Sequence, residues 1–187
     1  MKYVSTRDNS KEYNFEQVFI KGLADDGGLY VPKSLKKYSP QELHELKKLN
    51  YNELSTEIIN LFSSDFISKD ELSTLVKKSY STFREKEVVK LSNVGEIKLL
   101  ELFHGPTLAF KDVAMQFIGN LYEYYLTKNN KKINIVVATS GDTGAAAIDA
   151  IKGKSNLNIF VLHPNNRISP VQRKIMTTVD ENNVFNI

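Results

Sequence analysis

One stretch limits the possible folds more than any other. Residues 133–153, "INIVVATSGDTGAAAIDAIKG", pass from a β-branched apolar run, through a loop of Gly, Ser and Thr, into a helix of small residues stopped at Gly153. The run Ile133 to Ala138 reads as a strand buried on both faces. The alternation then continues. "NIFVL" at 158–162 is the next strand, Ser169-Pro170 caps a helix through Val171, Ile175 and Met176, and 184–187 opens another strand. Strands alternating with helices imply a parallel sheet of βαβ units with right-handed crossovers. The expected fold class is therefore α/β.

The α/β pattern begins near residue 84, with Ile97 to Leu102 as a strand and a helix from Leu108 onward. Residues 1–83 read differently, as a small, mainly helical domain. After the short segment Tyr3 to Thr6, Ser39-Pro40 with Glu42 gives an N-cap, an N1 proline and a capping box. Asn52 is a candidate opening for a second helix, and Ser68 with Glu71 repeats the capping box. "LADDGGLYVP", 23–32, reads as a tight turn and loop. The expected domains are thus 1–83 and 84–187. Because the chain stops inside an apolar run, it is expected to be the N-terminal portion of a longer protein, or a short product that pairs with another chain.

Composition narrows the chemistry. Lys and Arg total 25 against 22 Asp and Glu, well mixed along the 187 residues, so no basic stripe for nucleic acid is present. Cysteine is absent, which excludes disulfides, thiolate metal sites and a cysteine nucleophile. His44, His104 and His163 are too far apart for a local metal motif. Neither a signal-peptide pattern nor an apolar run of about 18 residues appears, so a cytoplasmic protein without a membrane partner is expected.

Two segments carry chemistry. In "VVATSGDTGAAAI", 136–148, the first amides of the helix lack internal partners and the macrodipole adds positive character. Gly141 and Gly144 permit close approach, and Ser140 and Thr143 add hydroxyls, which makes a receptor for phosphate or carboxylate. The plainer alternative is that Asp142 or Thr143 caps the helix. Walker A and G-x-G-x-x-G loops are both absent. "DTGA" at 142–145 matches a short aspartic-protease signature, but its helix-forming βαβ setting opposes that reading. "TSGDT" is also not a G-x-S-x-G elbow.

The second segment is "HGPTLAFKDVA", 104–114. Phe110, Val113, Phe117 and Leu121 form one stripe and Leu108, Met115, Ile118, Tyr122 and Tyr125 another, so the helix reads as buried nearly all round. Lys111 sits in its expected first turn. Asp112 is adjacent in sequence but does not face it on a helix. Desolvation favours the neutral amine, a nucleophile toward carbonyls. A lysine that snorkels to solvent is the alternative.

"ELFHGPTLAFKDVAMQF" and "ATSGDTGAAAIDAI" resemble the signatures of the threonine synthase family, within the tryptophan-synthase-β-like group of pyridoxal-phosphate (PLP) enzymes. "MKYVSTR", "GLADDGGLYVP" and "RISPVQRKIMTT" extend the resemblance over the chain. The aspartate of S-G-D-T-G, in place of the commoner asparagine, resembles threonine synthases in particular. The resemblance implies a fold-type II PLP enzyme, here truncated, with Lys111 as the Schiff-base lysine. It puts Ser140, Gly141, Asp142 and Thr143 in the loop facing the cofactor ring and substrate carboxylate, and His104, Thr107 and Phe110 near the cofactor. It implies a lyase of threonine biosynthesis that converts O-phospho-L-homoserine and water to L-threonine and phosphate, with no metal. Two alternatives remain: a related PLP-dependent phospholyase, and a truncated product without catalysis. The glycine-rich phosphate grip of the family and its pyridine-nitrogen contact are expected later in the chain.

Overall fold

The computed structural model describes residues 1–187, which divide into two compact units, Met1–Val76 and Lys77–Ile187. No helix is long and apolar enough to cross a membrane.

In the first unit, β1 (Tyr3–Ser5) pairs antiparallel with β2 (Tyr30–Pro32), and α1 (Phe15–Lys21) lies between them in sequence. Residues 30–32 are thus a strand rather than the expected loop. Asn14 and Gln17 cap α1 reciprocally, a helix beyond those expected from the sequence. The expected capping box of Ser39 and Glu42 opens α2 (Pro40–Leu46). For α3 (Tyr51–Ser63) the cap is Asn50, not Asn52: its side chain takes the Glu53 amide while Glu53 answers. Ser68 and Glu71 bond reciprocally at the head of α4 (Lys69–Tyr80), within which the two units divide. Ile67, Leu72 and Val76 are buried, each worth roughly 1.5–3 kcal/mol relative to exposure.

The second unit opens with a hairpin, β3 (Lys90–Val94) and β4 (Ile97–Glu101), paired antiparallel in a sheet of its own. The expected strand near 97–102 therefore exists, but outside the parallel sheet. That sheet has three strands in the order β5 (Ile133–Ala138), β6 (Leu157–Leu162), β7 (Val184–Asn186), all parallel. The helices are α5 (Asp112–Lys128) ahead of β5, α6 (Asp142–Ile151) between β5 and β6, and α7 (Pro170–Thr177) between β6 and β7. The α/β class with a parallel sheet is as expected.

Burial on both faces of β5 is not. Strands that add in chain order, each by a crossover of the same hand, put their helices on one face. Leu157, Ile159 and Val161 on that face are buried, together with Ala146, Ile148 and Ile151 of α6 and Met176 of α7. The other face carries a row across all three strands, Val136, Phe160 and Phe185, and of these Val136 is 67% and Phe185 41% exposed. The rings of Phe160 and Phe185 stack at 4.7 Å. Asn183 ties the unit's loops: its amide nitrogen donates to the carbonyls of Ile151, Lys154 and Leu157 and its oxygen accepts from Gly153.

Candidate active site

The chain leaves β4 through Glu101 and reaches His104 in an ordered bend. His104 Nε2 lies 2.8 Å from Glu101 Oε2, and the hydroxyl of Ser92, across the hairpin, donates to the other carboxylate oxygen. Both side chains are largely enclosed. The Ser92 hydroxyl first, and His104 second, hold the Glu101 carboxyl below its ordinary range.

Residues 105–111 form successive tight turns. The Leu108 amide donates to Gly105, the Asp112 amide to Ala109, and the Val113 amide to Phe110. A Cβ on Gly105 would lie 2.4 Å from Asp112 Cβ, so only glycine fits. Leu108 has φ of 66°, a left-handed conformation that costs about 1–2 kcal/mol for a residue with a Cβ. The helix consequently starts later than its apolar pattern suggests. It begins at Asp112, with Lys111 at the N-cap position rather than in the first turn. Leu108 and Phe110 lie outside α5 and are 51% and 58% exposed, while Phe117, Leu121 and Tyr125 are buried. Lys111 is half-buried, and its ammonium lies 4.2 Å from the centre of the Phe110 ring.

Asp112 was not among the expected site residues. It is fully buried, and its carboxylate accepts from the Thr107 amide and the Thr107 hydroxyl, each at 2.7 Å. Burial pushes its carboxyl upward, against the pull of those bonds. The available signal was an aspartate directly after the lysine, at the entry of a helix rich in apolar residues.

The second cluster joins β5 to α6. Neither Asp142 nor Thr143 caps α6: Gly141 is the N-cap residue, without a side-chain bond. Thr139 takes that role instead, its hydroxyl accepting from Gly141 at 3.2 Å and from Gly144 at 3.1 Å. A Cβ on Gly144 would press within 2.4 Å of Thr139 Cγ2, which explains the glycine there. Ser140 is exposed, Thr143 half-buried, and exposed Asp142 accepts from Gln172 Nε2 at 3.1 Å. Ser140, exposed and directly before the N-cap, stands at the head of α6, where the helix dipole favours an anion.

The eight expected site residues thus fall in two places of one unit, the turns at 104–111 and the β5–α6 junction at 140–143, where Asp142 and Thr143 already belong to α6. No hydrogen bond or ion pair links Lys111, Phe110 or His104 directly to the second loop. The first loop does meet α6: Pro106, Thr107 and Leu108 line a cleft of about 280 Å³ with Ala145, Ile148 and Asp149.

Comparison with known proteins gives a consistent result. The family model described as "Threonine synthase N terminus" matches residues 2–80. Threonine synthase of Saccharomyces cerevisiae is 46% identical over 97% of this chain and 38% of its own length, and that of Pseudomonas aeruginosa 42% identical over 100% and 40%. The crystal structure of yeast threonine synthase superposes with a TM-score of 0.93 at 43% identity, covering 100% of this chain and 40% of that one. PLP-bound threonine synthase from Brucella melitensis also gives 0.93, at 41% identity with the same coverage. The chain therefore spans about two fifths of the length of these relatives. Residues 2–80 thus match the N-terminal model of the threonine synthase family, and the whole chain is similar to a two-fifths portion of threonine synthases.

Proposed function

We propose that this chain is part of a threonine synthase, which converts O-phospho-L-homoserine and water to L-threonine and inorganic phosphate with the help of PLP. The observation that carries the reading is Lys111, a half-buried amine presented at a helix entry by a fixed turn. Residues 1–83 are assigned to the family's N-terminal domain and 84–187 to its fold-type II, PLP-binding domain. A cytoplasmic setting belongs to the same reading.

The residues fit PLP by their chemistry: a primary amine for its aldehyde, an aromatic ring beside that amine, and a hydroxyl-bearing helix start for anionic groups. When bound, PLP supplies an electron sink for charge developing at the substrate α-carbon. Lys111 would hold the cofactor through Nζ, and its amine would move protons at Cα and Cβ as general base and acid. Ser140, Gly141, Asp142 and Thr143 receive the substrate carboxylate, with Asp142 and Thr143 also beside the cofactor. Thr107, His104 and Phe110 border the reacting groups, and Glu101 fixes the His104 ring. Anchoring the substrate at its charged ends keeps phosphate loss at Cγ and water addition at Cβ in register.

The test is to add PLP to the chain, reduce with borohydride and map the modified residue by mass spectrometry. Labelling at Lys111 is expected; labelling at another lysine overturns the assignment. The second reading is a related PLP-dependent phospholyase; human threonine synthase-like 2, a relative with a name distinct from threonine synthase, is 41% identical over 98% of this chain. Release of phosphate together with threonine, from a protein of the relatives' full length that carries this chain, separates the two. The isolated 187 residues, whose sheet leaves Val136 and Phe185 bare, are expected not to turn over substrate.

A further inference from the structure

We propose that Asp112 is the positioning residue for Lys111: its carboxylate ties Thr107 to the start of α5 and thereby fixes the turn that presents the amine. Three observations carry this. First, Asp112 is completely enclosed, and none of the chain's ion pairs includes it. An enclosed carboxylate without a cation is costly, and persists only where hydrogen bonds compensate. Those bonds come from the amide and hydroxyl of Thr107, both at 2.7 Å.

Second, the bonds span the strained part of the turn. Leu108, at φ of 66°, lies between Thr107 and Lys111, and such a conformation survives only where its neighbours over-determine it. The Asp112 carboxylate grips one side of Leu108, and the Asp112 amide, donating to Ala109 at 3.0 Å, grips the other. Third, the packing around the carboxylate leaves no slack. Gly105 has no room for a Cβ against Asp112, and Asp149 on α6, whose charge also acts on it, is engaged by Gln116 and Lys152. A change at Asp112 therefore acts on residues 105–111, and through them on where Lys111 Nζ stands.

The inference rests on Lys111 being the cofactor lysine, so its test uses three probes on the 187-residue chain. Reductive labelling with PLP and borohydride reads the cofactor amine. Acetic anhydride, with mass-spectrometric mapping, reads the reactivity of Lys111 against pH without any cofactor. Hydrogen exchange at Thr107 and Leu108 reads the turn itself.

In Asp112→Ala, both labelling reactions at Lys111 are expected to fall or shift by about tenfold relative to the other lysines, the size set by losing bonds to a charged acceptor. The Thr107 and Leu108 amides should exchange faster in step. Asp112→Asn, which keeps an acceptor for one of the two donors, should restore part of the wild-type profile. If Asp112→Ala unfolds, Thr107→Val carries the same expectation. Unchanged Lys111 profiles in a folded variant whose Thr107 and Leu108 amides have lost protection overturn the proposal. If the wild-type chain takes no PLP label at Lys111, the cofactor reading falls, and the acetylation profile alone decides the positioning role.

Discussion

Gly119 of α5 and Ala150 of α6 meet backbone to backbone: a Cβ placed on Gly119 would stand 2.5 Å from the Ala150 carbonyl oxygen. Ala150 is buried, and its main chain has nowhere to retreat. Close approach at this point sets the spacing of the two helices whose N-terminal ends carry the two site loops. Gly119→Ala should therefore destabilise the unit by about 2 kcal/mol, since the overpacking cost exceeds the gain in helix propensity. Urea unfolding followed by circular dichroism checks this; a variant as stable as wild type would show that the helices can part freely.

The buried carboxyl of Asp112 gives a pH signature. Its folded value lies above the unfolded one, chiefly through desolvation. As pH rises through that interval the unfolded chain has released a proton that the folded chain still holds, so stability falls with rising pH and then levels off. Asp112→Asn lacks this term. The stability of Asp112→Asn relative to wild type should therefore rise as pH increases from about 4, the unfolded carboxyl value, and become constant above the folded one. Unfolding midpoints of both proteins from roughly pH 4 to 7, the range where such groups titrate, supply the measurement. A difference that stays constant with pH contradicts it.

The bare sheet face makes a third expectation. Val136, Phe160 and Phe185 form an apolar row, and contiguous apolar surface of this kind binds dyes and drives association. The double substitution Val136→Thr, Phe185→Ser should lower both the fluorescence of an apolar dye and concentration-dependent association in sedimentation. Its effect on stability should stay within about 0.5 kcal/mol at Val136 and reach roughly 1 kcal/mol at Phe185, which loses its stacking on Phe160. Unaltered dye binding would locate the exposed apolar surface elsewhere, with the β3–β4 hairpin, where Leu91 is 59% and Ile97 69% exposed, as the next place to look.

Much of this protein is readable locally. Capping boxes fix helix starts through side chains three residues apart, so Ser39 with Glu42 and Ser68 with Glu71 announced α2 and α4 before any packing was known. The run Ile133 to Ala138, the glycine-rich loop and the small-residue helix after it likewise declared a βαβ unit. The residue pattern around Lys111 marked the candidate amine. All of these signals live within one element or one turn.

What the sequence did not reveal depends on neighbours that are distant in the chain or on competition between local options. Leu108 looked helical because periodicity counts apolar spacing, whereas the carboxylate of Asp112 and the closeness of Gly105 hold it at positive φ. The α6 cap passed from Asp142 or Thr143 to Thr139 because Thr139 alone turns its hydroxyl to Gly141 and Gly144. An apolar strand reads the same whether one face is covered or two. Only the order β5-β6-β7, with both crossover helices on one side, decided that Val136 and Phe185 stay bare. The chain by itself determined which elements form and which amine is a candidate nucleophile; tertiary packing decided which faces are covered and how Lys111 is held, because burial and hydrogen-bond partners are properties of residues that meet only after folding.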